Sequence, residues 1–105
     1  MKTSATIETE IRDYVKKLRK DRGEVTSVEV KKLSDYVKSP RGNPDFFVGG
    51  FVTFSNSDRI FVYRYENHVN NFANGRGYEA YSSYNSDRGV ANVVNGWDSI
   101  GDPPY

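Results

Sequence analysis

Apolar positions Ile7, Ile11, Tyr14, Val15 and Leu18 recur at i, i+4, i+7, i+8 and i+11, the stripe that buries one face of an amphipathic helix. Thr6 offers an N-cap hydroxyl, Glu8 and Glu10 stand in the first turn, and Lys16, Lys17, Arg19 and Lys20 stand in the last, as the helix dipole favours. Gly23 supplies the stop. A second, shorter stripe follows at Val30, Leu33 and Val37, with Tyr36 beside it. Thr26 and Glu29, three residues apart, form a capping-box pattern ahead of it, so the spacing predicts a helix from Val28 to Lys38 that ends before Pro40.

Residues 44–56 carry two patterns at once. From Pro44, the residues Phe46, Phe47, Gly50, Phe51 and Phe54 fall at helical spacing behind a proline suited to a first helical turn. The same segment also reads as an apolar strand interrupted by Gly49-Gly50. Two adjacent glycines cost a helix about 2 kcal/mol relative to alanines, so composition favours the strand while spacing and flanks lean to a helix. Residues 60–67 alternate as a strand, with Phe61, Tyr63 and Tyr65 on one face and Ile60, Val62 and Arg64 on the other. An Asn-Gly-Arg-Gly turn at 74–77 then precedes a tyrosine-rich return, 78–84, completing a hairpin. Residues 85–105 are rich in Asn, Asp, Ser and Gly and read as a partly packed tail.

The chain has 105 residues, enough for one domain with a modest core. Leucine is confined to Leu18 and Leu33, and the apolar content is Val, Ile, Phe and Tyr, which suits a pleated sheet surface. There is no cysteine, which excludes disulfides, thiolate metal sites and thiol catalysis. No apolar run approaches the roughly 18 residues of a membrane span, and an intracellular, cytoplasmic setting is the expectation. Net charge is +1, but it is unevenly spread: residues 1–41 hold eleven Lys and Arg against seven acids, and the remainder four against seven. A basic front half could track phosphates, although cations on a helix face are more often a solvated surface.

Taken in order, a helix at Ile7 to Leu18, Val25-Thr26-Ser27 leading into a capped helix, a turn at Ser39-Pro40-Arg41, Gly49-Gly50 where helices pack closely, and a hairpin from Ile60 to Tyr84 resemble a winged helix-turn-helix domain. The resemblance implies an α+β fold of two or three N-terminal helices followed by a β-hairpin or small antiparallel sheet, with residues 1–84 as the domain and 85–105 as the tail. It further implies a non-enzymatic protein that binds double-stranded DNA, a transcriptional regulator of microbial or viral origin, with the third helix in the major groove and the hairpin along the backbone. On that arrangement Lys31, Lys32, Lys38 and Arg41 contact phosphates, Asn43, Asn56 and Arg59 reach bases, and Arg76 holds the backbone. The outer face of the third helix is poorly furnished for this, since only Asn56 and Arg59 among its residues can hydrogen-bond a base edge.

The alternative is a protein-binding module, antitoxin-like or a viral inhibitor of a host protein, using Phe72, Tyr78, Tyr81, Tyr84 and Trp97, because Tyr and Trp dominate interface hot spots. A homodimer is compatible with either reading. Phe61, Tyr63 and Tyr65, with Arg64 and Arg76 near them, could stack the bases of a single strand, but an aromatic ladder is more often packing. Gly75-Arg76-Gly77 lacks the Lys-Ser or Lys-Thr of a P-loop. His68 is the sole histidine, so no metal or cofactor site is expected. No carboxylate pair or serine stands in a catalytic context, and "DPPY" at the end lacks the spacing of a WW-domain ligand.

Overall fold

The computed structural model describes residues 3–18, 23–64, 78–81 and 86–99; the side chains of Leu18, Glu79, Ala80, Tyr81 and Trp97 also lie outside what it describes. Helix α1 spans Ser4–Leu18 and buries Ile7, Ile11, Tyr14 and Val15, as the stripe predicts. Its cap is Thr3 in place of Thr6: the Thr6 N–H donates to Thr3 Oγ1 at 3.2 Å. Four strands follow, β1 (Val25–Lys32), β2 (Phe47–Phe54), β3 (Arg59–Arg64) and β4 (Tyr78–Tyr81), and they pair in chain order as an antiparallel sheet. Helix α2 (Asp87–Ser99) closes the described chain. No helix of the described residues is long and apolar enough to cross a membrane.

The α+β class is as expected, but only one helix precedes the sheet. The expected helix at Val28 to Lys38 is instead strand β1 followed by a single 3-10 turn at Leu33–Asp35. Val25, Thr26, Val28 and Val30 are β-branched, which disfavours a helix and suits a pleat. The capping geometry belongs to a later residue, since Asp35 Oδ2 accepts the Lys32 N–H at 2.7 Å and tightens that turn.

Residues 44–56 do not form a helix either. Phe47–Phe54 is the central strand β2, paired with β1 from Val25↔Phe54 to Lys32↔Phe47 and with β3 from Thr53↔Arg59 to Gly49↔Tyr63. The two glycines, costly to a helix, are what this strand needs. Gly49 has φ 143, where a Cβ would run into the Val62 carbonyl oxygen and meet the Phe61 ring at 2.8 Å. At Gly50 a Cβ would sit 3.1 Å from the Ile11 side chain, so its absence lets α1 settle onto the sheet. A register shift between Lys31 and Lys32 marks a bulge there, and on its far side Val48 packs with the second face while Phe47 packs with the first.

The first face of the sheet holds Val52, Phe54, Ile60, Val62 and Tyr78 beneath α1. On the second face Val48, Phe51, Phe61 and Tyr63 pack with Leu33, Val37 and Phe46 from the β1–β2 connection and with Val90 and Val94 of α2. The result is three layers with the sheet in the middle. Strand β3 contains residues 60–64 of the strand expected at 60–67, and β4 contains residues 78–81 of the return expected at 78–84; residues 65–67 and 82–84 and the expected turn at 74–77 lie outside the described residues.

Helix α2 lies where a partly packed tail was expected. Ser86 caps it by accepting the Gly89 N–H at 3.2 Å, and Val90 and Val94, one helical turn apart, are fully buried. Its sequence carried that stripe, but Asn92, Asn95 and Gly96 dilute it.

Candidate functional site

An open cleft of about 440 Å³ lies between the C-terminal half of α1 and the entry to β1, lined by Arg12, Val15, Lys16, Gly23, Glu24, Val25 and Phe54. That volume is within the usual range for a ligand pocket. Val15 and Phe54 form the floor but are almost fully buried. The apolar wall that a visitor meets is therefore chiefly half-buried Val25 with the aliphatic stems of Arg12 and Lys16.

Each wall has a local cause. Arg12 and Lys16 are four residues apart with Val15 between them, so the helix presents both cations on one side of an apolar residue. Gly23 has φ 82, and a Cβ there would approach Ser55 Oγ to 2.6 Å, so glycine is needed for both conformation and proximity. Next to it the Ser55 N–H donates to the Glu24 carbonyl at 2.8 Å, and the Thr26 hydroxyl donates to the Thr53 carbonyl at 3.1 Å. These bonds fasten the start of β1 to the end of β2 and fix the cleft's shape.

Its electrostatics are of mixed sign. Arg12 Nε donates to Glu8 Oε2 at 3.1 Å, with both side chains about two-fifths exposed at 41% and 42%, a pair that adds little stability in water. Lys16 and Glu24 are exposed and make no side-chain pair among the described residues. Among the described residues, a cation and an anion thus stand without a side-chain partner at the mouth of an apolar notch.

The residues expected to bind DNA are not gathered on one element. Lys31 lies 3.5 Å from Glu29, and Lys32 lies 3.9 Å from Asp45 with its ammonium 5.6 Å from the Phe47 ring centre. Lys38 and Arg41 are exposed on the β1–β2 connection. Asn43 Oδ1 accepts the Asp45 N–H at 2.9 Å, and Asn56 Oδ1 accepts the Asp58 N–H at 3.0 Å, so both asparagines shape turns. The Arg59 guanidinium lies 3.8 Å from the centre of the Phe51 ring. Antiparallel pairing sets Lys32 at one end of β2 and Asn56 and Arg59 at the other, a separation of about 20 Å for a strand of this length. Arg76 lies outside the described residues.

The aromatic alternatives are partly removed. Tyr78 is 3% exposed and donates to Glu10 Oε1 at 2.6 Å, so it belongs to the core beneath α1 and not to an interface. Burial first, then the Glu10 carboxylate, pushes its phenol pKa up, and the Arg64 guanidinium acts the other way. Phe72 and Tyr84, and the side chains of Tyr81 and Trp97, lie outside the described residues. Phe61 and Tyr63 are fully buried, with ring centres 4.7 Å apart, and serve as packing and not as a base-stacking platform; Tyr65 lies outside the described set. Among the described residues no group of His, Cys, Asp and Glu could hold a metal ion.

Sequence reading missed the cleft. Val15 and Lys16 were placed on the first helix, but nothing in the chain order joins them to Val25 and Phe54. Comparison with protein-family models, curated proteins and solved structures finds no match to this chain.

Proposed function

We propose that the protein is a non-enzymatic protein-binding module, and that the cleft between α1 and β1 receives an aliphatic side chain flanked by an acidic residue of the partner. The observation that carries this reading is the rim: Lys16 and Glu24, of opposite sign and with no side-chain pair among the described residues, stand over a notch walled by Val25. A nucleic-acid backbone is anionic throughout and gains from cations alone. A polypeptide offers an apolar anchor with charges of either sign beside it. Lys16 meets the acidic neighbour of the anchor, and Glu24 accepts backbone N–H groups or a cation on its other side.

The test is selection from a random peptide library on the immobilised chain. Enriched peptides pair Asp or Glu with Leu, Ile or Val, and Lys16→Glu lowers their affinity about tenfold without loss of fold, as expected for a charged pair beside a buried anchor. Affinity unchanged by both Lys16→Glu and Val25→Trp, which fills the notch, would overturn the assignment. Duplex DNA binding that weakens steeply with salt, and is abolished by joint replacement of Lys31 and Arg41 with Ala, would move the function to nucleic acid.

A further inference from the structure

Strand β1 is an edge of the sheet: β2 occupies one side, and among the described residues no strand occupies the other. Its backbone orientation can be read from Gly50. The Glu29 carbonyl oxygen lies 3.0 Å from the position of a Gly50 Cβ, so Glu29 points its polar groups towards β2. By the alternation of an antiparallel ladder, the N–H and C=O groups of Val28 and Val30 then point outward, away from the sheet. The side chains of both valines are only half-buried.

The edge carries the features that commonly discourage pairing, with Lys31 and Lys32 at one end and register shifts at Val25/Ser27 and Lys31/Lys32. Those shifts leave Ser27 to Lys31 as a regular stretch. Within it the charges are self-complementary. Glu29 and Lys31 flank Val30 symmetrically, on the face of the sheet opposite α1, and already lie 3.5 Å apart within one chain.

We infer that two copies of the chain associate through β1, antiparallel about a twofold axis at Val30, into one continuous eight-stranded sheet. In that register Val30 lies opposite the partner's Val30 as a hydrogen-bonded pair. Glu29 then lies opposite the partner's Lys31, and Lys31 opposite the partner's Glu29, at the narrow non-hydrogen-bonded positions where cross-strand side chains come closest. A register centred on Glu29 would oppose two carboxylates, and one centred on Val28 would set Glu29 against Ser27, so charge selects Val30. A twofold axis between antiparallel edge strands is perpendicular to the sheet. Both α1 helices therefore lie on the same face, next to one another across the seam, and cover the half-buried valines. Val25 lies beyond the paired stretch, so the cleft of each copy stays open and the dimer is bivalent for its partner.

Sedimentation equilibrium over about 1 to 100 µM, the range in which a modest dimer dissociates by mass action, tests this directly. The native chain sediments as a dimer. Glu29→Lys and Lys31→Glu each set like charges opposite one another and weaken association at least about tenfold, as a like-charge cross-strand pair should, while far-ultraviolet circular dichroism shows each variant folded. The double variant Glu29→Lys/Lys31→Glu restores the dimer, a result that a merely destabilised strand does not give. A native chain that stays monomeric across the range, or single variants that dimerise as well as the native chain, would overturn the inference.

Discussion

Asp98 shows how one side chain can fix a long-range contact. It is 5% exposed, and its carboxylate accepts the Arg41 N–H at 2.9 Å on each oxygen and the Gly42 N–H at 3.0 Å on one. The turn after Pro40 is thereby pinned to the last turn of α2. Tyr36 and Tyr78 act similarly, donating to Asp87 at 3.0 Å and to Glu10 at 2.6 Å. In both, burial is the larger cause and the neighbouring carboxylate the next, and both raise the phenol above its ordinary pKa of 10.0. The unfolded chain therefore loses these protons first as pH rises through about 10, so the unfolded state binds fewer protons and stability falls from there upward. Urea unfolding midpoints should be flat on this account up to pH 9 and drop above pH 10. In the Tyr36→Phe/Tyr78→Phe double variant that alkaline drop should be shallower, because the two titrating groups are gone.

At the scale of elements, periodicity decided what was legible. The α1 stripe held at Ile7, Ile11, Tyr14 and Val15 because apolar residues at strict helical spacing have one solution, and β3 held because alternation of Phe, Tyr, Val and Ile has another. The helix expected from Val28 to Lys38 and the lean to a helix at 44–56 went astray because their apolar positions fit a short helix, while the β-branched and aromatic residues of β1 and β2 favoured a strand. In both places composition agreed with the fold and spacing did not. Gly49 is the clearest instance, since its φ of 143 and the nearby Val62 carbonyl leave no room for a side chain. Gly49→Ala should destabilise the fold by about 3 kcal/mol or more, combining backbone strain with a steric clash. Chemical denaturation checks this, and a loss below 1 kcal/mol would mean that β2 tolerates a Cβ where its pairing with β3 is tightest.

For the molecule as a whole, the second face of the sheet depends on α2. Val90 and Val94 cover a cluster that includes Leu33, Phe46, Val48, Phe61 and Tyr63, and the Asn95 amide donates to the Tyr36 carbonyl at 3.0 Å across the same seam. A chain stopped after Ser86 should expose that cluster, and in a domain this small the lost burial is a large share of the total stability. Such a chain should bind a hydrophobic dye and melt without a cooperative transition; a sharp native-like melt would show α2 to be dispensable. The same scale explains why the candidate sites were hidden. The cleft joins residues 12–16 to Val25 and Phe54, and the dimer edge exists only because β1 stands outermost in the sheet.

By itself the sequence determined the first helix, the α+β class, the β3–β4 pairing and the exclusion of thiol chemistry, because local periodicity and residue type settle those without reference to distant partners. Only the tertiary structure decided that residues 25–32 and 47–54 are strands, that the last helix is part of the core, and that Lys16 shares a cleft with Val25. Those outcomes depend on which backbone lies alongside which, and Gly49 and Gly50 show the reason. Their cost in a helix is local, whereas their benefit, the close approach of β3 and α1, appears only after the chain has folded.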